Sequence, residues 1–283
     1  MTSGNPFPPD GEETIVGEQL PVRQERCYRF ACGPWPVALT TPFALPLPEQ
    51  PAAHDAMPVC WTLTAGEVAA EDELLVSAVA GGLRAQVCRQ AEFVLAADGI
   101  TGTYAGDITR WQPAQRRDML LLPALELALL PRGLIGLHAA AVAGDGWLAL
   151  FLGASGRGKS TAAQLFMRAN GGDLLADDRV LLAGDTVYGW PDNRACPLPE
   201  RMLWCAAEYA PDRPAATLAL PPADAVAQVL AATRFAGLRG LAPNELPGAP
   251  AALARLMELA GRARTVRARM AGREPQQFAG LRP

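Results

Sequence analysis

The chain has 283 residues, of which 50% are hydrophobic and 19% are charged, enough apolar material for a packed core and too much for a disordered or fibrous chain. Its 25 basic and 29 acidic side chains give a net charge of −4, so neither a nucleic-acid partner nor an acidic solvating tail is expected. Apolar stretches are interrupted before they reach about 18 residues and no basic segment opens the chain, so we expect no membrane span, no signal peptide and a cytoplasmic protein.

The cysteines point to no special chemistry. All six lack a Cys-x-x-Cys partner and stand apart from the histidines. We therefore expect neither a zinc site nor a disulfide framework, but small thiols that stay reduced.

The basic residues are distributed unusually, because Lys159 is the single lysine of the chain. An excess of alanine and arginine indicates a coding bias that replaces lysine by arginine wherever charge alone matters. Lysine and arginine differ where a compact point charge is needed instead of a planar fork. We therefore expect Lys159 to have a specific chemical role.

The first 117 residues carry no evident chemistry. Residues 1–24 are rich in proline and acidic side chains and predict a flexible N-terminal arm. Residues 25–117 predict a mainly β region of short strands and turns, in which His54 is a surface histidine. Within this region the sequence predicts a helix at 71–80, strands at 83–88, 91–96 and 100–105, and an Asp98-Gly99 turn before the last strand.

Residues 118–283 read as an α/β domain, because helical and strand patterns alternate along them. Proline positions bound a buried helix, and short glycine turns join the strands. The predicted order is a helix at 118–130, strands at 134–143 and 147–152, a helix at 159–169, a strand at 173–176, a hairpin over 179–188, helices at 222–235 and 250–261, and a strand at 264–270.

A phosphate-binding loop is predicted between the strand at 147–152 and the helix that follows it. Its residues are Gly153, Ala154, Ser155, Gly156, Arg157, Gly158, Lys159 and Ser160, followed by Thr161, and they fit G-x-x-x-x-G-K-[ST] in full. The glycines let backbone N–H groups face phosphate oxygens, and the helix N-terminus adds positive charge. Lys159 would contact the β- and γ-phosphates of ATP, Ser160 would bind Mg²⁺ and Thr161 would add a hydroxyl contact. Arg157 is either solvated or turned toward phosphate.

Two adjacent acids supply the second half of a phosphoryl-transfer site. Asp177 and Asp178 end the strand at 173–176, and Asp177 lies only 18 residues after Lys159. Adjacent strand residues point to opposite faces, so both can serve one site only if the strand end turns. We assign Asp178 to Mg²⁺ and Asp177 to the acceptor hydroxyl as general base, with the reverse assignment left open.

Three further features have a structural and a functional interpretation. His138 lies on the strand before the one that enters the loop, so it is either a core histidine or a neighbour of the acids and the γ-phosphate. The polar, aromatic segment 188–201 is an ordinary loop, a wall of the site or an acceptor-binding surface. The arginines near the C-terminus, at positions 262, 264, 267 and 269, form a solvated face, a phosphate-neutralising patch or a surface that meets an acidic peptide leader.

These motifs together resemble the catalytic domain of the HPr serine kinase/phosphorylase family. The resemblance is carried by His138-Ala-Ala-Ala-Val, the segment Gly153–Thr161 and Leu174-Leu-Ala-Asp-Asp-Arg-Val180, in that order and spacing. It covers 134–189 tightly and 118–283 loosely. It implies a fold of the HPr kinase and phosphoenolpyruvate-carboxykinase type, in which His138, Lys159, Asp177 and Asp178 are active-site residues and Mg·ATP is the phosphoryl donor.

The chain also departs from the parent family. Gly237-Leu-Arg-Gly240 lacks the glutamate and the second glycine of the parent's acceptor-capturing segment, and the first 117 residues do not resemble its regulatory domain. The layout is more similar to the short HPr-kinase-like proteins that accompany ribosomally made peptides, including lasso peptides.

We therefore expect a kinase for a serine or threonine of a peptide or small protein. A kinase of a small hydroxylated metabolite and a non-catalytic ATP-binding regulatory module are the alternatives. The parent enzymes are hexamers, so a homo-oligomer is one possibility that the sequence leaves open.

Overall fold

A computed structural model describes residues 26–47, 59–66, 68, 74–87, 90–96, 99–234, 241–242 and 244–281. These residues form a mixed α/β structure with two sheets and several helices. The predicted N-terminal arm, His54 and Asp98 lie outside them. Within the described ranges, no helix is both long and apolar enough to cross a membrane.

The first sheet has seven strands among the described residues, in the order β1-β2-β3-β7-β6-β5-β4. Its strands are Arg26–Cys32 (β1), Trp35–Thr41 (β2), Val59–Ala65 (β3), Leu74–Val79 (β4), Gly82–Val87 (β5), Ala91–Ala96 (β6) and Gly99–Tyr104 (β7). Buried and exposed side chains alternate along β5, β6 and β7, as expected for strands with one face on a core. The strands predicted in this part of the sequence are confirmed.

The helix predicted at 71–80 is wrong for its described part, which is β4. Its leucine and valine spacing fits a helix, but Val76 is fully buried while Ala78 is exposed. Val79 pairs with Gly82 across the Ala80-Gly81 turn, where Gly81 has a φ of 82°. Pairing with β5 through this tight turn overrides the helical spacing.

A helical segment joins the two sheets. It consists of a short α turn at Pro113–Gln115 (α1), a π-helical stretch at Arg116–Leu121 and an α-helix at Leu122–Leu129 (α2). The π-helical stretch ends two residues before Pro123, which has no N–H to donate to the turn before it. The segment confirms the buried helix predicted at 118–130. It packs against β5 and β6 of the first sheet and also against the second sheet.

The second sheet has nine strands among the described residues, in the order β13-β12-β11-β8-β9-β14-β16-β15, with β10 also paired to β8. Its strands are Leu134–Gly144 (β8), Trp147–Leu152 (β9), Asp173–Ala176 (β10), Arg179–Ala183 (β11), Thr186–Trp190 (β12), Arg194–Pro197 (β13), Arg201–Tyr209 (β14), Ala216–Ala219 (β15) and Arg264–Met270 (β16). The neighbours β9, β14 and β16 are parallel, and their carboxyl ends therefore meet at one edge of the sheet. The predicted strands are confirmed, whereas β13, β14 and β15 were not predicted.

Helices cover both faces of this sheet. Lys159–Asn170 (α3) packs on one face, where Phe151 and Phe166 meet edge to face at 5.4 Å. Pro222–Ala232 (α4) and Ala249–Arg262 (α5) cover the other face. Since the sheet is buried on both sides, its polar chemistry is confined to its ends.

Candidate active site

The glycine loop, Gly153–Gly158, connects β9 directly to α3. Gly153, Gly156 and Gly158 have φ angles of 149°, 74° and 89°, which side chains rarely adopt. At Gly158 a Cβ would also lie 2.8 Å from Met270 Cε. The carbonyl oxygen of Arg157 accepts a bond of 3.0 Å from Tyr209 N–H, so the loop is tied to the end of β14. Backbone geometry therefore favours glycine at these three positions of the strand-to-helix connection.

Lys159 begins α3 and is almost completely buried, with 5% of its surface exposed. Its Nζ donates a hydrogen bond of 3.1 Å to the carbonyl oxygen of Ala154, which holds the ammonium against the first turn of the loop. Burial lowers the pKa of Lys159 from its ordinary value, whereas the charges of Asp178 and Asp177 oppose that shift. The single lysine is thus a buried charge that lies near two acids and against the glycine loop.

The two acids occupy a bend between β10 and β11, and both of these strands pair with β8. The register of β10 on β8 shifts between Leu174 and Ala176. At the bend, the Asp178 carbonyl oxygen accepts a bond from Ala139 N–H at 3.1 Å, while its carboxylate reaches His138. The chain therefore turns at the end of β10, which is the condition for both acids to serve one site.

His138 contacts Asp178 directly, with 2.8 Å between Nε2 and Oδ1. This hydrogen bond is the main reason why the pKa of Asp178 is lowered from its ordinary value, with the charges of Arg179 and Lys159 adding to the effect. Arg179 pairs with His138 across β11 and β8, and its Nε lies 3.8 Å from Asp178 Oδ2. Asp178 is therefore an exposed, ionised carboxylate held between an imidazole and a guanidinium.

Asp177 differs from its neighbour in surroundings. Both acids are exposed, but within the described part of the chain the Asp177 carboxylate has no hydrogen-bond or ion-pair partner. The hydroxyl of Ser160 donates to the Asp177 carbonyl oxygen at 3.4 Å, so the bend lies against the first turn of α3. The structure therefore brings His138, Lys159, Ser160, Asp177 and Asp178 together at one end of the sheet.

The donor set fits Mg²⁺ better than a metal that needs an all-protein cage. Among the described residues no group of three or more histidine, cysteine or acidic side chains could hold a metal ion. Mg²⁺ in nucleotide sites takes one or two protein oxygens and completes its shell with phosphate and water. The Ser160 hydroxyl and the open Asp178 carboxylate are oxygen donors of that kind.

A cavity of about 400 Å³ opens beside the glycine loop. Four alanines form its apolar wall, and Arg157, Glu208, Gln228 and Arg267 supply its polar groups. It is lined by the loop, β14, β16 and α4, whereas the acids lie across β8. The cavity and the acid pair therefore occupy opposite sides of β9.

The structure also shows where two weaker sequence features lie. The segment 188–201 is not a free loop, because Trp190 ends β12 as a buried residue and Asn193 exchanges two hydrogen bonds of 2.9 Å with Gly33 of the first sheet. The C-terminal arginines do not form one patch. Arg262 lies 3.6 Å from Glu258 on α5, whereas Arg267 lines the cavity.

Sequence reasoning missed three polar residues near this end of the sheet. Glu126 and Arg234 form a largely buried ion pair, and Gln228 faces the cavity. An acidic residue inside the apolar helix pattern of 118–130 was the one available signal, because a buried charge requires a partner.

Neither a scan against protein-family models nor a search of curated proteins finds a significant match to this chain.

Proposed function

We propose that this protein is a Mg·ATP-dependent kinase that transfers the γ-phosphoryl group to a serine or threonine hydroxyl of a peptide or small protein. The proposal includes a fold of the HPr kinase and phosphoenolpyruvate-carboxykinase type for residues 118–283, and a ribosomal peptide precursor as acceptor. One observation supports it above all. The bend that carries Asp177 and Asp178 lies against the first turn of α3, directly after the glycine loop. A phosphate cradle and paired carboxylates at one edge are the two halves of a phosphoryl-transfer site.

The glycine loop is the binding site for the triphosphate in this proposal. Its left-handed glycines and the start of α3 present backbone N–H groups to phosphate oxygens, and Lys159 supplies a fixed positive charge. The cavity on the α4 side would take the nucleoside, because the acids occupy the opposite side of β9. Its alanine wall suits a flat base, and Gln228 can both donate to a base edge and accept from it.

Ser160 and Asp178 would hold Mg²⁺. The bound ion would neutralise phosphate charge and orient the terminal phosphoryl group. His138 supports this role, because its hydrogen bond orients the Asp178 carboxylate and keeps it ionised. Arg179 has the same effect from the other side.

Asp177 would accept the proton of the acceptor hydroxyl. The hydroxyl oxygen forms a bond to the γ-phosphorus while the bond from that phosphorus to the β–γ bridging oxygen breaks, and ADP leaves. The hydroxyl proton passes to the Asp177 carboxylate, which is exposed and open to an incoming acceptor. The reverse division, with Asp178 as base, would leave Asp177 as the metal ligand.

The test is transfer from γ-labelled ATP with Mg²⁺ to any short peptide encoded beside the gene, read by intact mass. We expect the peptide to gain one phosphate. Lys159→Ala should abolish the transfer together with ATP binding. Asp177→Asn should abolish transfer while ATP still binds. The control is Asp173→Asn, since Asp173 is an exposed acid at the start of β10, away from the bend.

Two results would contradict parts of the proposal. ATP binding without transfer to that peptide, to HPr or to proteins of the host lysate would favour a regulatory module or a metabolite kinase. Full transfer by Asp177→Asn would move the base to Asp178 or His138.

A further inference from the structure

A buried carboxylate lies behind the proposed active site. Glu126 on α2 is 5% exposed, and its Oε2 accepts a hydrogen bond of 2.5 Å from Arg234 Nε. Its other oxygen, Oε1, has no hydrogen-bond partner within the described part of the chain. That oxygen faces Gly136 of β8, where a Cβ would lie only 2.3 Å away. The strand therefore leaves room for this carboxylate two residues before His138.

The backbone places Arg234 at the mouth of the glycine loop. Pairing between β8 and β9 ends at Ala139 and Leu152, where the chain turns away into the loop. Thr233 continues that edge of β8 by bridging to Leu137. Thr233 therefore pairs with β8 just beyond the point where β9 stops pairing with it, and Arg234 is the next residue.

Arg234 also points to the same face of the sheet as the catalytic groups. Bridged residues project to the same face and the next residue projects to the opposite one, so Arg234 shares the face of Gly136 and His138. Its contact with Glu126 agrees with this. The charges of Glu126 and Arg234 both act on Arg179, which lies beside Asp178. The guanidinium of Arg234 therefore lies on the side of Arg179, the neighbour of Asp178.

Stability alone does not account for this ion pair. Placing a carboxylate among apolar side chains is costly, and a hydrophobic pair of equal volume usually stabilises a core at least as well. A buried carboxylate does, however, fix the position of a long and otherwise mobile side chain. The glycine at position 136 indicates that β8 accommodates the pair in this geometry.

We propose that Arg234 is a catalytic residue that contacts the transferring phosphoryl group, and that Glu126 is the residue that positions it. This inference rests on the proposed kinase function. While the bond to the acceptor oxygen forms and the bond to the β–γ bridging oxygen breaks, negative charge spreads over the phosphoryl oxygens. A planar guanidinium held by its Nε can present its terminal amino groups to those oxygens, which a lysine cannot reproduce.

Phosphate release from Mg·ATP and binding of ADP with aluminium fluoride, a mimic of the transferring group, test this without a known acceptor. Arg234→Ala should bind ADP within about threefold of wild type, release phosphate about 100-fold more slowly and lose the tighter binding of the mimic. Arg234→Lys should fail similarly, and Glu126→Gln should slow release about tenfold without changing the KM for ATP. Added guanidinium should partly restore the rate of Arg234→Ala.

Arg255→Ala is the matched control. Arg255 also pairs with acids, Glu258 and Asp185, but it lies on α5 at the opposite end of β11 from Arg179. Its loss should leave both measurements unchanged.

The two proposals fail in different ways. Wild-type protein that neither releases phosphate nor binds the mimic would overturn the kinase and this inference with it. Active wild-type protein with a folded Arg234→Ala or Arg234→Lys variant of equal rate and equal mimic affinity would overturn the role of Arg234 alone. An equal loss of ADP affinity and rate in both variants would make Arg234 a ground-state binding residue and would also overturn it.

Discussion

The space that β8 leaves for Glu126 predicts a strong coupling between positions 136 and 126. In Gly136→Ala the new Cβ would lie 2.3 Å from Oε1, 2.5 Å from Cδ and 2.8 Å from Cγ of Glu126, whereas non-bonded atoms need about 3.5–4.0 Å. The carboxylate must shift by more than about 1 Å inside a packed interior. Overpacking of this kind costs about 1–3 kcal/mol, which corresponds to a fall in Tm of roughly 2–10 °C.

A double-mutant cycle separates this clash from other effects of the alanine. Glu126→Ala removes the three atoms that the new Cβ would meet, so Gly136→Ala should cost much less in that background. We expect a coupling free energy of at least about 1 kcal/mol from denaturation of the four proteins, followed by circular dichroism. Equal cost of Gly136→Ala in both backgrounds would refute the idea that the glycine makes room for the carboxylate. It would also remove one of the supports for the placement of Arg234.

Three further predictions concern the proposed nucleotide site. Lys159→Arg should lose ATP binding in a fluorescent-nucleotide titration, because a buried point charge is replaced by a larger fork; retained affinity would end the argument from the single lysine. The lowered pKa of Asp178 means that its ionised carboxylate stabilises the folded protein. This contribution to the free energy of unfolding is fully present above the ordinary pKa of 3.8 and is lost only as the pH falls through the lowered value. His138→Ala should move this titration to higher pH by carboxyl-carbon NMR, and an unmoved titration would contradict the role of that hydrogen bond. Ala231→Leu should narrow the cavity and weaken ATP binding about tenfold without changing Tm, whereas unchanged affinity would place the nucleoside elsewhere.

Local patterns predicted the part of the site that local physics determines. A loop with three left-handed glycines between a strand and a helix requires glycine at fixed positions, so the motif is visible in the sequence. The sequence predicted a bend at Asp177 and Asp178 if both acids serve one site, because adjacent residues of a regular strand point to opposite faces. The glycine loop and the two acids also lie close together in the sequence, so local patterns are enough to find them.

Features that depend on long-range register were not predictable in this way. Glu126 and Arg234 are 108 positions apart, and their meeting depends on the bridge between Thr233 and Leu137. The strand β14 was missed because the prolines and polar residues just before it indicated a loop. Its place between β9 and β16 is set by parallel pairing over more than 50 residues of chain, which no local period reveals.

The contrast between the two acids gives the strongest argument for a catalytic function over a binding function. A module that only binds Mg·ATP needs one ionised carboxylate for the metal, and Asp178 meets that need because His138 and Arg179 hold it. The same bend presents a second carboxylate, Asp177, which is exposed beside the first turn of α3. An acceptor hydroxyl that approaches a γ-phosphoryl group must lose its proton, and an open carboxylate next to a fixed one is suited to take it. A variant that keeps ATP binding but loses transfer, as expected for Asp177→Asn, would therefore separate the two functions at adjacent residues.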